Sequence, residues 1–161
     1  MLILFSLIVM RMSGAIALNP MFGRTNLPSA AKAGFVFLLS LLLYTTGGAG
    51  LYREPATMLE YGIMLLLELF VGFTLGFAME LSVMVVRFAS SAMDYVMGLN
   101  MAQIYDPQYN TQMTITSGMY YAFLMLLFFA MDGHLRLLEI FYGSARLIPF
   151  GAVRISPGLA M

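Results

Sequence analysis

The sequence predicts an all-α integral membrane protein with about four to six hydrophobic helices, some kinked or broken at Gly or Pro. Three observations lead there. Apolar residues make up 61% of the 161 and charged residues only 10%, against roughly 45–50% and about 25% in a soluble domain. Mean hydropathy is +0.87. Long apolar runs are punctuated by Gly and Pro rather than by polar linkers. Backbone in lipid must satisfy its own hydrogen bonds, so such runs read as helices and no sheet is expected. Residues 1–161 read as a single helical membrane domain.

The first apolar run, residues 1–10, is followed by Arg11 and by Ala15-Ile16-Ala17. A secretion signal places its positive charge before the apolar run. The order here is reversed, so the segment reads as a retained helix. Pro28 then breaks the chain before Ser29, a helix-start signal with Ser as the cap. Residues 33–52 are free of charge and about long enough to cross a bilayer, but Gly47, Gly48 and Gly50 should end that helix early. Arg24 and Lys32, with no acids between them, place the loop 19–32 on the cytoplasmic side.

Residues 58–104 keep a helical period without proline. As one helix they would run about 70 Å, more than twice a hydrocarbon core of about 30 Å. The segment must break in two or leave the membrane. Gly72 and Gly76 read as a close helix contact or as a bend. Asp106-Pro107 marks a boundary, because the residue before proline avoids helix. Residues 107–131 form the second charge-free stretch of spanning length. Asp132-Gly133-His134 is a turn. An amphipathic helix over 135–147 follows, stopped by Pro149 and Gly151, and residues 152–161 carry turn residues without a closing element.

Glu68, Glu80, Arg87 and Asp94 lie inside apolar segments, where each charge costs something like 2.5–3.5 kcal/mol. Glu80, Arg87 and Asp94 are seven residues apart and share one helix face within roughly 40°. Neighbours on that stripe are about 10 Å apart, so another helix, another subunit or water must meet them.

Other chemistry is bounded by what is missing. With no Cys and one His, disulfides and thiolate or multi-histidine metal sites are excluded. Eight basic residues balance eight acidic ones, leaving no electrostatic footprint for nucleic acid. There is no phosphate-binding Gly-rich loop and no Gly-x-Ser-x-Gly elbow. His134 beside Asp132 reads as a polar cap in a turn rather than as a base. No enzyme, cofactor or metal is expected. The sixteen Met suit irregular gaps or a deformable seal.

Several short patterns occur in order: Arg11-Met12-Ser13-Gly14, then Asn19-Pro20-Met21-Phe22-Gly23 and Pro28; Met97-Gly98-Leu99 before Asp106-Pro107-Gln108; Asp132-Gly133-His134 before Leu147-Ile148-Pro149. In this order and spacing the chain resembles the FliR family of flagellar biosynthesis proteins, whose virulence counterparts are the SctT export-apparatus proteins. Members are longer, with a helical C-terminal part, so the chain reads as the N-terminal portion of a FliR-like protein. The resemblance implies a non-enzymatic subunit of the type III export gate in the bacterial inner membrane, at the flagellar basal body. It implies FliP-like and FliQ-like partners, FlhB-like and FlhA-like components, membrane lipid, and unfolded export substrates in transit. It also implies that the loop 101–111 belongs to a plug closing the channel, with Met101, Ile104 and Tyr105 as its bulky residues beside Asp106 and Pro107. The competing class is a secondary transporter or ion channel binding a small solute at Glu68, Arg87 or Asp94, though no internal repeat of the transporter kind is present.

Overall fold

The computed structural model describes residues 2–20, 28–46, 54–106 and 111–151. These form α1 (Leu2–Ala17), α2 (Ser29–Thr45), α3 (Met58–Val96), a 3-10 turn (Leu99–Met101), β1 (Gln103–Asp106), β2 (Thr111–Thr114), α4 (Ile115–Ala130) and α5 (Gly133–Leu147).

α1 is the centre of the molecule. Leu4, Leu7, Ile8, Met12, Ala15 and Ile16 are all buried, so the helix is covered on several sides. Leu39 and Leu43 of α2, Met64 of α3, Leu137 and Phe141 of α5, and Phe150 complete the apolar cluster around it. A helix apolar on all sides is stable only when surrounded, and α1 meets that condition with three helices.

The α1–α3 contact depends on glycine. A Cβ on Gly72 would lie 1.9 Å from the Arg11 carbonyl oxygen, and one on Gly76 would lie 2.6 Å from the Ala15 oxygen. From the other side, a Cβ on Gly14 would lie 2.4 Å from the Leu69 oxygen. The three glycines therefore let two backbones touch, the small-residue packing of membrane helices. Of the two readings of Gly72 and Gly76, the close contact is the one the backbone distances bear out.

Of the two alternatives for residues 58–104, α3 does not show the break in two. It runs unbroken for 39 residues, about 58 Å. Its start is a cap that the sequence reading passed over. The Glu60 amide donates to Thr57 Oγ1 at 3.2 Å, and Glu60 Oε2 accepts from the Ala56 amide at 2.8 Å. Thr with Glu three residues on is a capping-box pattern. The two charge-free stretches yield helices of 17 and 16 residues, both under the roughly 20 a straight crossing takes. Among the described residues α3, which carries the internal charges, is the one helix with the length and composition to cross a membrane.

Helix ends follow local chemistry. α2 starts after Pro28, which occupies the cap position itself, so Ser29 is the first helical residue and not the cap. α2 ends at Thr45, before the expected glycines, which lie outside the described residues. Asp132 adopts φ 55°, a left-handed turn between α4 and α5. A Cβ on Gly133 would meet the Phe128 ring at 2.5 Å, so the tight reversal needs glycine there.

A correction concerns the all-helical expectation. Residues 103–106 and 111–114 pair as the antiparallel strands of a hairpin, with Gln103 opposite Thr114 and Asp106 opposite Thr111. Four-residue strands give too short an alternation to separate from a loop. The helix expected from residue 107 begins only at Ile115.

Candidate functional site

Two arginine–carboxylate pairs and the hairpin carry the polar chemistry of the described residues. The first pair joins Arg11 of α1 to Glu68 of α3. Arg11 Nε donates to Glu68 Oε2 at 2.6 Å, and the side chains are 0% and 1% exposed. Arg11 Nη1 donates to the Ser144 carbonyl at 3.1 Å and Nη2 to the Ile148 carbonyl at 3.0 Å. These acceptors lie at the C-terminal end of α5, where a cation is favoured, and the Ser144 carbonyl also accepts from the Ile148 amide at 2.9 Å. The remaining Glu68 oxygen accepts the Gly151 amide at 2.9 Å. The guanidinium carbon sits 4.3 Å from the centroid of the Phe150 ring. A buried pair is tolerable when its other lone pairs and protons are also bonded, and this one meets that condition. It ties α1, α3, α5 and residues 148–151 into one block. Glu68 thus finds its partner inside the chain, 57 residues away. Arg11, which the sequence placed after the first apolar run and in a motif, is that partner.

The second pair holds the hairpin. Arg87 of α3 bonds the Asp106 carboxylate of β1 through Nη2, with side chains 18% and 6% exposed. The same nitrogen lies 3.8 Å from the Met113 sulfur. The guanidinium carbon is 5.0 Å from the Tyr121 ring of α4. One side chain of α3 therefore touches both the hairpin and α4. An open cleft of about 550 Å³ lies beside it, lined in part by Met84, Arg87, Ser91, Gln103 and Gln112.

The predicted stripe splits three ways. Arg87 meets Asp106. Asp94 is 0% exposed, and neither carboxylate oxygen has a hydrogen-bond partner among the described residues. Glu80 is half-buried. Ser90, between Arg87 and Asp94 on the stripe, is buried and bonds back to the Val86 and Arg87 carbonyls.

The bulky hairpin residues face outward. Met101 is 98% exposed, and Ile104 and Tyr105 are more than half exposed. Pro107 and Gly23 lie outside the described residues, as does the tail 152–161. Pro20 is buried at the end of the α1 segment. The expected proximity of His134 and Asp132 yields no cap: Asp132 makes no side-chain cap bond. The His134 ring packs on Phe129 instead, centroids 5.7 Å apart. Among the described residues no three His, Cys, Asp or Glu side chains are grouped as a metal site would need.

These features define a class: a helical protein with an apolar exterior, charges tied internally, and one polar hairpin set against a long helix. The chain belongs to the bacterial export proteins, family 1, which it matches over residues 2–161. It is 29% identical over 146 residues to the flagellar biosynthetic protein FliR of Bacillus subtilis (strain 168), covering 89% of this chain and 55% of that protein. The FliR of Pectobacterium carotovorum subsp. carotovorum is 26% identical over 142 residues, 88% of this chain and 54% of that protein. The FliR of Escherichia coli (strain K12) is 22% identical over 144 residues, 89% and 54%. The resemblance drawn from the ordered motifs is thus borne out. The chain spans about half the length of the curated relatives it matches.

Proposed function

We propose that the chain is a non-enzymatic subunit of the bacterial flagellar type III protein export gate, helping to form and close the export channel. It works in the bacterial inner membrane at the flagellar basal body, with FliP-like and FliQ-like subunits and with FlhB-like and FlhA-like components. Unfolded export substrates pass through the assembly. The observation that carries the closing role is the hairpin. It presents Ile104 and Tyr105 more than half exposed, and Met101 of the preceding turn is 98% exposed. At the same time its turn-side end is anchored to α3 through Asp106. A sealing element needs both exposed apolar side chains and an anchor.

The exterior supports an assembled state. Leu59, Ile63, Leu66, Phe70, Phe73, Phe77, Leu81, Met84 and Phe88 are all exposed and recur every three or four residues along α3. The Phe70, Phe73 and Phe77 rings stack in sequence, 6.3 and 6.2 Å apart. An apolar face this long calls for neighbouring subunits or lipid.

The test uses the whole protein in the assembled gate. Met101→Ala with Ile104→Ala removes two apolar side chains, each worth about 1.5–3 kcal/mol when buried. A closed–open balance of a few kcal/mol shifts under that loss. Leakage of ions or small solutes across the membrane rises, at equal abundance of complex with FliP-like and FliQ-like subunits and with secretion blocked downstream. Wild-type leakage from an intact complex would return the hairpin to an ordinary connection. Failure of the wild-type protein to co-purify with those subunits would end the gate reading itself.

A further inference from the structure

We propose that Arg87 exchanges partners: it holds the hairpin through Asp106 in the docked state and turns to Asp94 when the hairpin leaves. The orphan carboxylate is the first ground. Asp94 is 0% exposed with both oxygens unpartnered among the described residues. Buried polar groups in native proteins are nearly always bonded, and an exception calls for a reason. The second ground is position. Asp94 lies seven residues beyond Arg87 on α3, about 10 Å along the axis and some 20° around it. Helical side chains lean toward the N-terminus, which brings the Asp94 carboxylate toward Arg87 but sets the Arg87 stem the other way. The arginine must therefore swing toward the C-terminus, extended, to close the gap. Ser90 is the residue between them on the stripe, and its small side chain is bonded to its own helix. The third ground is room. The cleft of about 550 Å³ is lined by Arg87 and, one helical turn nearer Asp94, by Ser91.

The hairpin also has a pivot. Gly98 follows α3 at φ +73°, and no other atom lies within 4 Å of where its Cβ would be. Residues other than glycine rarely adopt that conformation. Releasing a partly buried ion pair leaves the buried charge uncompensated, which is what makes it costly. A second acceptor on the same helix removes much of that cost. Asp94 therefore sets how easily the hairpin detaches, whether or not the hairpin closes a channel.

Hydrogen–deuterium exchange on the protein purified from membranes in detergent tests this. The amides of 103–106 and 111–114 report the hairpin, and those of α1 report the block around it. Asp94→Asn removes the reserve acceptor, so hairpin exchange slows about tenfold, the size of one hydrogen bond to a charged group. Exchange in α1 stays at the wild-type rate. Arg87→Met speeds hairpin exchange, and adding Asp94→Asn to it changes nothing further. Asp94→Ser repeats the test should the Asn variant fold poorly. Unchanged or faster hairpin exchange in the Asp94 variants overturns the proposal. So does equal slowing in the Arg87→Met background, because Asp94 would then act without Arg87.

Discussion

The two ends of α3 use the same chemical pair in opposite ways. In its N-terminal half, Glu68 meets Arg11 inside an apolar cluster, and the pair's remaining polar atoms find backbone partners from α5 and residues 148–151. In its C-terminal half, Arg87 meets Asp106 beside an open cleft, among Ser90, Thr114, Ser117 and Asp94. Among buried residues, apolar ones dominate the first region, whereas the second has only Val83 against several polar side chains. Regions with few buried apolar contacts open at lower free energy than packed cores. The comparison assigns rigidity to the block around α1 and movement to the hairpin.

The largest expected effect breaks the rigid end. Arg11→Ala leaves Glu68 buried and uncompensated, which typically costs about 3–5 kcal/mol. Thermal unfolding in detergent should show a large loss, and Glu68→Ala should match it. A loss no greater than that of a surface substitution would mean the pair is not buried in the folded protein.

Next comes the backbone contact that sets the pair in place. Gly72→Ala puts a methyl group into the Arg11 carbonyl and forces α1 from α3. Overpacking of this kind costs about 1–3 kcal/mol or somewhat more. Fluorescence-monitored unfolding would register it. The opposite sign is expected at Gly62 of the same helix, where an added Cβ meets nothing within 4 Å. Gly62→Ala should stabilise by roughly 0.5–1 kcal/mol through helix propensity. If the two alanines behave alike, the close approach of α1 and α3 is wrong.

The mobile end should respond less in stability and more in local motion. Arg87→Ala removes a partly exposed pair, so global stability falls less than for Arg11→Ala. Its effect should concentrate in the hairpin, read as faster proteolysis near residues 103–114 with α1 still protected. Equal loss from Arg11→Ala and Arg87→Ala would erase the difference between the ends.

Several elements were legible from local chemistry. Pro28 opens α2, α2 stops at Thr45 before the glycines, and Asp132-Gly133 turns the chain. Backbone conformation at proline and glycine depends on the residue itself, so such signals read without neighbours. The stripe through Arg87 and Asp94 was legible too, because helical period places it. The hairpin was not: Gln103–Asp106 and Thr111–Thr114 are four residues each. The signal available was a run containing Ile104 and Tyr105 that resumes at Thr111 after a four-residue connection.

By itself the sequence determined a helical chain of apolar exterior and, through ordered motifs, its family. Composition and period act over a few residues and survive any arrangement of the helices. Only the tertiary structure decided which charges meet. Arg11 and Glu68 are 57 residues apart, and Arg87 and Asp106 are 19 apart across a turn and a strand. A buried charge announces that it needs a partner, because the cost of desolvation is local. The identity of the partner depends on where three glycines let α1 rest against α3 and on where the hairpin folds back, and no periodicity encodes either.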